Sequence, residues 1–294
     1  MHFIIYSSFD READVAVVKQ IETNLKKRSG VTFSLASYRE SGFLGMTYNR
    51  FSDVVKDADA VIVVGGDGTV LRAVECITSH GLDTPIFAIN RGQCGFLADT
   101  EPKDFDEEID MVIAGDYEIE KRTALEVSYA RKKYYSLNEV IVYKKEITRP
   151  IVVEVFIEND TILGALKADG VCLATPTGST AYSLSAGGSI LSPDVNAVSI
   201  CSICSHSLVN KPMVVSDKHT FVIRLVKGSL EALLMVDGDV KAEVSDGSYV
   251  VVKKANLTVN FIKTRHHDFY KRLVTKLNRW TMPEAEDFNV DQEI

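Results

Sequence analysis

The sequence predicts an α/β plus all-β protein, with an N-terminal open α/β (Rossmann-like) domain and a C-terminal, mainly β (β-sandwich-like) domain. Two observations predict this division. Up to Tyr117, apolar strand-like runs alternate with helical patterns, which is typical of an open and mostly parallel sheet. Beyond Tyr117, short alternating runs are separated by Asn-Asp and Asp-Gly turns.

Four apolar runs of the first domain are predicted strands: "HFIIYSS", "VTFSLAS", "DAVIVV" and "PIFAIN". Two helical patterns lie between them, one after Asp10 (Val17, Val18, Ile21, Leu25) and one after Thr69 (Val70, Leu71, Val74, Ile77). A third helix is predicted in "EPKDFDEEIDMVIAG", with Gly115 as its C-cap. The stretch "ESGFLGMTYN" is predicted to be a loop.

The second domain is predicted to contain strands within five segments: "ALEVSYARKKYYSLNEVIVYKK", "PIVVEVFIENDTILGALKADGVCLATP", "TFVIRLV", "EALLMVDGDVKAEV" and "YVVVKKANLTVNFIK". A last helical pattern, "HHDFYKRLVTKLNRW", is expected to pack back on the first domain. We therefore expect an α/β domain at 1–118, completed by about 253–294, and a mainly β domain at 119–252.

Composition restricts the classes of partner. The chain has 294 residues, of which 46% are hydrophobic and 25% charged, as in soluble globular proteins. Its net charge of −8 argues against nucleic acid and anionic membranes as partners, because both favour a basic surface. We see no membrane span and no signal peptide. Five scattered cysteines, an odd number, do not form a disulfide framework, so a reducing cytoplasm is expected.

The stretch "AVIVVGGDGTVLRAV" is a predicted strand that ends in glycines and Asp67. It is neither of the two common nucleotide-binding loops, since the chain has no Gly-Lys dipeptide and Leu71 stands where G-x-G-x-x-G requires its last glycine. Physically it still suits a phosphate, because glycines allow close approach and a helix start offers free N–H groups. Taken alone, it is equally compatible with a tight turn in which Asp67 caps the helix.

A second stretch, "TPTGSTAYSLSAGG", consists mostly of small residues around Tyr182. A small-residue wall that carries hydroxyls and one aromatic ring suits a flat nucleobase or nicotinamide. The alternative is a flexible Ser/Gly-rich linker. Pro176 and the flanking apolar runs favour an ordered segment.

Together with "LNEVIV", "KADGV", "NRGQCGFLAD" and "VDGD", these stretches make the sequence resemble bacterial-type NAD kinases through essentially the whole chain. "GGDGT" alone is less specific, because lipid kinases share it, whereas "TPTGSTAYSLSAGG" is specific to the family. The resemblance implies Mg²⁺-dependent transfer of a phosphoryl group from ATP, or polyphosphate, to the 2′-hydroxyl of NAD's adenosine ribose, giving NADP. It also implies a homotetramer built from dimers that share their dinucleotide sites.

The resemblance implies one catalytic residue, Asp67, which would orient the ribose hydroxyl and accept its proton. Gly66, Gly68 and Leu71 would line the phosphate and adenosine side, and Phe96 would contact the adenine. Asn138 and Glu139 would hold ribose hydroxyls and the region of the diphosphate, and Asp237 would come from the late hairpin. The base-binding wall of the second domain would consist of Asp169, Thr177, Thr180, Ala181, Tyr182 and Ser185. Lys167 would add positive charge near the ligand, or lie on a solvated surface. No protein ligands for a metal are implied.

Structural alternatives exist for several of these residues. Asp237-Gly238 is a favoured hairpin turn whether or not it is also functional. Asn138-Glu139 is equally compatible with an ordinary polar strand edge, and Phe96 with the core. The chain departs from the family pattern at Cys94, where an apolar residue is usual, and at 187–189, where Gly-Gly-Ser replaces Gly-Gly-Pro.

The segment "CSICSH" has neither the haem-attachment spacing C-x-x-C-H nor a second ligand pair for zinc. We therefore expect Cys201 and Cys204 to be small buried residues. Two other functions are compatible with the motifs. A lipid kinase would require a greasy acceptor groove or a basic membrane-facing patch, and a catalytically idle NAD(P)-binding sensor would have the same pocket without turnover.

Overall fold

The structure is a computed structural model that describes residues 1–38, 47–91, 95–207, 210–264 and 269–280. Most of the predicted loop "ESGFLGMTYN", and Cys94, lie outside these ranges. The chain folds into a parallel α/β unit followed by a β-rich unit, as the sequence predicts, and the two units share a sheet. Within the described residues, no helix is long and apolar enough to cross a membrane.

The N-terminal unit is a parallel sheet of five strands in the order β3-β2-β1-β4-β5. Its strands are β1 (His2–Ser7), β2 (Thr32–Ser37), β3 (Asn49–Arg50), β4 (Ala60–Gly65) and β5 (Ile86–Asn90). Its helices are α1 (Glu12–Leu25), α2 (Phe51–Val54), α3 (Asp67–Ser79) and α4 (Phe105–Ala114). Gly115 caps α4 with φ +78°, as predicted, because a left-handed residue at this position costs glycine little.

Helices cover both faces of this sheet, which explains why β4 is buried at every position. Alternate residues of β4 point to opposite sides. Val61 and Val63 pack with Val74 of α3. Ile62 and Val64 pack with α1 and α4 on the other face. The strand thus carries the chain to the carboxyl edge of the sheet, where Asp67 begins α3.

The β-rich unit adds twelve strands and one short helix to the described fold. The strands are β6 (Glu118–Tyr129), β7 (Lys132–Ser136), β8 (Glu139–Lys144), β9 (Ile151–Ile157), β10 (Asp160–Ala168), β11 (Gly170–Ala174), β12 (Ala197–Ile203), β13 (Met213–Ser216), β14 (Phe221–Leu225), β15 (Ala232–Val236), β16 (Asp239–Val244) and β17 (Tyr249–Lys263). The helix is α5 (Tyr182–Ser185).

Six of these strands form a separate sheet in the order β13-β12-β11-β8-β15-β16. The others join the parallel sheet through β17, which pairs with β5 at Phe261↔Ile86 and with β6 and β14. Residues from both sheets meet in one apolar core that includes Val142, Val153, Leu173 and Phe221. The predicted sandwich-like packing is therefore confirmed, although one of its two sheets continues into the α/β unit.

The last helix, α6 (Phe269–Trp280), returns to the N-terminal unit, as predicted. The Phe269 ring lies 6.2 Å from the Phe96 ring, centroid to centroid. Arg272 Nη1 lies 3.2 Å from a carboxylate oxygen of Asp99, which also pairs with Lys263 of β17. Helix α6 thus contacts the loop that follows β5.

Candidate active site

A cleft of about 530 Å³ opens at the carboxyl edge of the parallel sheet. One wall is the start of α3 and the other is the hairpin between β15 and β16. Four of the residues predicted for the site line it: Gly66, Gly68, Leu71 and Asp237. Charged residues that the sequence analysis did not assign to the site also line it, namely Asp10, Arg11, Asp14, Arg72, Glu75, Arg91, Asp239 and Lys241. In open α/β sheets this edge is where ligands bind.

The floor of the cleft is glycine backbone. A Cβ atom added at Gly66 or Gly68 would meet no heavy atom within 4 Å, so packing within the protein does not require glycine at either position. Both residues are exposed. The space beside this backbone is therefore open to a ligand, and the start of α3 presents free N–H groups toward it.

Asp67 is the first residue of α3, and Gly66 is the N-cap. The Asp67 carboxylate does not cap the helix. Instead, it accepts hydrogen bonds from the backbone N–H groups of Phe96 (2.9 Å), Leu97 (3.1 Å) and, at 3.5 Å, Ala98. The helix-cap alternative is therefore wrong. Asp67 is instead fixed by the loop after β5.

The same loop requires glycine at position 95. A Cβ atom at Gly95 would lie 2.3 Å from Oδ1 of Asp67, closer than any real contact. Phe96 is 9% exposed and Leu97 belongs to the core beneath α3. Phe96 and Leu97 thus both contribute to packing, and a contact of Phe96 with a ligand would be additional to that role.

Asp237 occupies the two-residue turn between β15 and β16. Its φ of +48°, followed by +85° at Gly238, has the positive signs of the favoured hairpin turn, which confirms the predicted turn. Its carboxylate accepts hydrogen bonds from Ser136 Oγ (2.6 Å) and from the backbone N–H groups of Leu137 (2.8 Å), Asn138 (2.8 Å) and Glu139 (3.1 Å). Asp237 therefore fixes the segment that bears Asn138 and Glu139.

Glu139 is 5% exposed and opens β8. Burial, and then the charge of Asp237, raise the pKa of Glu139 to about 8, while a hydrogen bond from the Tyr182 backbone N–H opposes the shift. Burial also raises the pKa of Asp237, against the effect of its four donors. The four donors oppose the shift at Asp237 because they favour the carboxylate, whereas only the Tyr182 N–H group opposes the shift at Glu139.

The small-residue wall is ordered, so the linker alternative is wrong. Thr175 Oγ1 donates to the carbonyl of Leu137 (2.5 Å), and its N–H donates to the carbonyl of Asn138 (2.9 Å). A Cβ atom at Gly178 would lie 2.0 Å from the carbonyl oxygen of Asn138. This close approach of two backbones requires glycine. It places the wall directly against the Asn138-Glu139 segment.

The predicted wall residues differ in exposure. Thr177 (7%) and Thr180 (6%) are buried, and Thr177 Oγ1 accepts a hydrogen bond from Arg122 Nη1 (3.2 Å). Ala181 is half-buried, whereas Tyr182 (39%) and Ser185 are exposed. An exposed aromatic ring beside small residues forms a stacking surface.

Asp169 lies just before β11, and Lys167 lies on β10. Burial raises the pKa of Tyr182, with smaller contributions from neighbouring ionisable groups, Asp169 among them. Asp169 pairs with Lys144 at 2.8 Å. Lys167 is exposed on β10 and forms no ion pair with another residue that the structure describes.

The predicted site residues thus form two groups. At the cleft, Gly66, Gly68, Leu71 and Asp237 form the lining, and Asp67 and Phe96 meet where the start of α3 contacts the loop after β5. The wall consists of Thr177, Thr180, Ala181, Tyr182 and Ser185. Among the described residues, no hydrogen bond or ion pair joins the side chain of Lys167 or Asp169 to this wall. The segment 137–139, with Asn138 and Glu139, joins the two groups through the hydrogen bonds of Asp237 and Thr175.

The prediction for the cysteines is half right. Cys201 is buried, but Cys204 is exposed and has φ +47°. The segment leaves β12 after Ile203, so Cys204 has already turned out of the sheet.

Two family models match the chain and together span most of it. The model described as the ATP-NAD kinase N-terminal domain matches residues 9–117. The model described as the ATP-NAD kinase C-terminal domain matches residues 137–264.

Curated relatives match over most of their own length. The chain is 37% identical to the NAD kinase of Carboxydothermus hydrogenoformans over 265 residues, which is 87% of this chain and 93% of the relative. It is 35% identical to the NAD kinase of Methanothermobacter thermautotrophicus over 221 residues, 75% of this chain and 77% of the relative.

Two solved structures share the fold. Yeast NADH kinase complexed with NADH superposes with a TM-score of 0.82 at 22% identity, over 99% of this chain and 89% of that one. An NAD kinase from Archaeoglobus fulgidus in complex with ATP superposes with a TM-score of 0.75 at 24% identity, over 95% of this chain and 99% of that one.

Proposed function

The chain belongs to the NAD kinase family and phosphorylates NAD to NADP, and we propose that Asp67 orients the 2′-hydroxyl of the adenosine ribose and accepts its proton. One observation carries this proposal. Loop amides hold the Asp67 carboxylate at the end of β4, beside an open glycine floor. A carboxylate has about four acceptor positions, so the bonds to the loop leave capacity for a substrate hydroxyl.

Phosphoryl transfer needs positioning and charge neutralisation more than covalent chemistry by the protein. A ribose hydroxyl is a poor nucleophile, so a fixed carboxylate contributes by aiming it and taking its proton. In this proposal Gly66 and Gly68 give the donor phosphates access to the backbone. Glu139 and Asn138 bind ribose hydroxyls, and the Tyr182 ring stacks on a flat ring of the dinucleotide.

We propose that Mg²⁺ arrives with ATP as part of the donor substrate. The metal would bridge the phosphates and neutralise their charge, held largely by phosphate and water. The described residues contain no group of three or more potential metal ligands, which fits an ion held mainly by the oxygens of the donor phosphates and water. Omitting Mg²⁺ should abolish turnover, and adding it back should restore the rate.

We also propose a cytoplasmic homotetramer built from dimers with shared dinucleotide sites. The exposure of Tyr182, Ser185 and Lys167 supports sharing, because ligand-binding residues on an open surface need a further wall to exclude water. Light scattering after size exclusion tests the assembly. A monomer with full activity would contradict it.

One assay distinguishes NAD kinase from the two competing functions. The chain is incubated with NAD, ATP and Mg²⁺, and NADP is quantified with an NADP-specific dehydrogenase. Phosphorylation of lipid acceptors alone would favour a lipid kinase. Binding of NAD without product would favour an idle sensor.

A further inference from the structure

The cleft has a cationic rim, formed by Arg72 and Lys241, to which the sequence analysis assigns no role. Gly68, Arg72 and Glu75 are spaced i, i+4 and i+7 along α3, so they lie on one face of the helix, and all three line the cleft. A rise of 1.5 Å per residue places Arg72 about 6 Å and Glu75 about 10 Å beyond Gly68 along the axis. Lys241 of β16 faces this side of α3 from the opposite wall.

The two cations differ in their present partners. Lys241 Nζ lies 2.5 Å from Glu75 Oε1 and 3.5 Å from Asp239, with the lysine side chain 15% exposed and the Glu75 side chain 44% exposed. Arg72 is exposed, and its guanidinium lies 4.7 Å from the centroid of the Tyr38 ring. Among the residues that the structure describes, Arg72 has no carboxylate at ion-pair distance. One cation is thus available to an anion, and the other is bound by an exposed carboxylate.

Arg91, another of the four cationic residues that line the cleft, is already occupied. Its Nε lies 2.7 Å from Oδ1 of Asp14, whose side chain is only 9% exposed. Separating this pair would leave Asp14 as an uncompensated buried charge, which is costly. Releasing Lys241 from Glu75 costs far less, because Glu75 is nearly half exposed and water can solvate it.

We propose that Arg72 and Lys241 bind the phosphate chain of the phosphoryl donor, and that Glu75 competes with that chain for Lys241. The proposal rests on the proposed function, since it takes the glycine floor as the place where the reacting phosphate lies. From that floor a polyphosphate extends along the exposed face of α3 to Arg72 and then to Lys241. Without a donor, the Glu75 carboxylate occupies the position at Lys241 that a phosphate would take. This competition weakens donor binding.

The two halves of this ion pair provide the test. Steady-state KM values for ATP and for NAD are measured for Lys241→Met, Arg72→Gln and Glu75→Gln, with melting temperatures recorded for each. We expect Lys241→Met and Arg72→Gln to raise the KM for ATP about tenfold or more, with the KM for NAD unchanged. Glu75→Gln should lower the KM for ATP by about two- to fivefold.

Both Lys241→Met and Glu75→Gln break the ion pair, so a merely structural pair would change the KM for ATP in the same direction in both variants. Changes of the KM for ATP in opposite directions exclude that role. The matched controls are Lys145→Met and Glu243→Gln, which break the 2.8 Å ion pair between Lys145 and Glu243 of β16, neither of which lines the cleft. Both controls should leave the KM for ATP at the wild-type value. Shifts of the same direction in Lys241→Met and Glu75→Gln, or no shift in either, would overturn the proposal.

Calorimetry separates this proposal from the proposed function. Inorganic tripolyphosphate is titrated into each variant without NAD, so the readout needs no turnover. If the wild type makes no NADP, the proposed function fails, and the order of tripolyphosphate affinities still decides the roles of Arg72, Lys241 and Glu75. We expect the affinity to be highest in Glu75→Gln and lowest in Lys241→Met and Arg72→Gln.

Discussion

The backbone N–H of Phe96 donates a 2.9 Å hydrogen bond to the carboxylate of Asp67. Asp67 begins α3 after β4, and Phe96 belongs to the loop after β5, so the bond links the carboxyl ends of adjacent parallel strands. This bond fixes Oδ2, and the N–H groups of Leu97 and Ala98 hold Oδ1. The proposed catalyst is therefore held in position before any substrate binds.

Asp67→Asn tests this role. The amide is isosteric and cannot take a proton from the hydroxyl. It keeps one oxygen acceptor for the loop, but its NH2 group replaces the other acceptor and faces a loop N–H, so the melting temperature is measured as well. We expect kcat to fall by about 10²–10⁴ while the dissociation constant for NAD changes little. A second variant, Asp67→Ala, removes the loop anchor as well and should also lower the melting temperature. A near-normal kcat in Asp67→Asn would exclude Asp67 as the base.

Substituting the glycine floor should separate function from stability. Gly68→Ala adds a Cβ atom that meets nothing in the protein, and alanine is the better helix former, so the melting temperature should stay the same or rise. The same Cβ atom narrows the phosphate space, and the KM for ATP should increase about tenfold or more. Unchanged kinetics would show that the donor does not approach this backbone.

Gly178→Ala, in contrast to Gly68→Ala, should lower the stability of the fold. Its Cβ atom would lie 2.0 Å from the Asn138 carbonyl oxygen, so the wall must move away from the 137–139 segment. We expect a loss of several kcal/mol of unfolding free energy, measured by denaturant titration. Gly164→Ala, where a Cβ atom meets nothing within 4 Å, is the matched control and should lose less than about 1 kcal/mol.

Glu139 predicts a pH dependence of stability. Its pKa is about 8 in the folded chain against an ordinary value of 4.5, so the folded state holds a proton that the unfolded state releases. This contribution is fully present below pH 4.5 and is lost as the pH rises through 8. Glu139→Gln cannot ionise, so its stability relative to the wild type should increase from pH 5 to pH 9.

The upper limit of that increase is about 4 kcal/mol, because about 3 pH units separate pH 5 from the folded pKa and each corresponds to about 1.4 kcal/mol. Thermal unfolding of both proteins across this pH range measures it. Glu231→Gln, which replaces an exposed carboxylate (60%), should show no comparable trend. A constant difference between Glu139→Gln and the wild type would mean that Glu139 is ionised throughout.

The contact between α6 and the loop after β5 predicts a change in dinucleotide binding. Phe269→Ala removes the ring that packs beside Phe96. Phe96 belongs to the loop whose N–H groups hold the Asp67 carboxylate. We expect the KM for NAD to rise by about two- to tenfold, in keeping with the energy of an aromatic pair, and the KM for ATP to change less. Tyr270→Ala is the control, since Tyr270 is 61% exposed. Equal KM values for NAD in the wild type, Phe269→Ala and Tyr270→Ala would show that α6 does not influence dinucleotide binding.

The sequence alone determined the fold class, because its periodicities reflect local geometry. The helical spacing of Val70, Val74 and Ile77 and the alternation of "VIRLV" depend only on which face of an element is buried. The turn at Asp237 was equally local, since few residues accept two successive positive φ angles. Recognition of "GGDGT" and of the small-residue wall gave the family, which the comparisons confirm.

The tertiary structure decided what the local pattern left open. Asp67 was compatible with a helix cap until the loop at 96–98, about 30 residues further along the chain, was placed against it. Cys204 was expected to be buried and is exposed, because the strand ends one residue earlier. Arg72, Glu75 and Lys241 carry no motif, since their meeting depends on a contact across 166 residues. Spacing along the chain specifies which face of an element is buried, but only packing specifies which charges meet across a cleft.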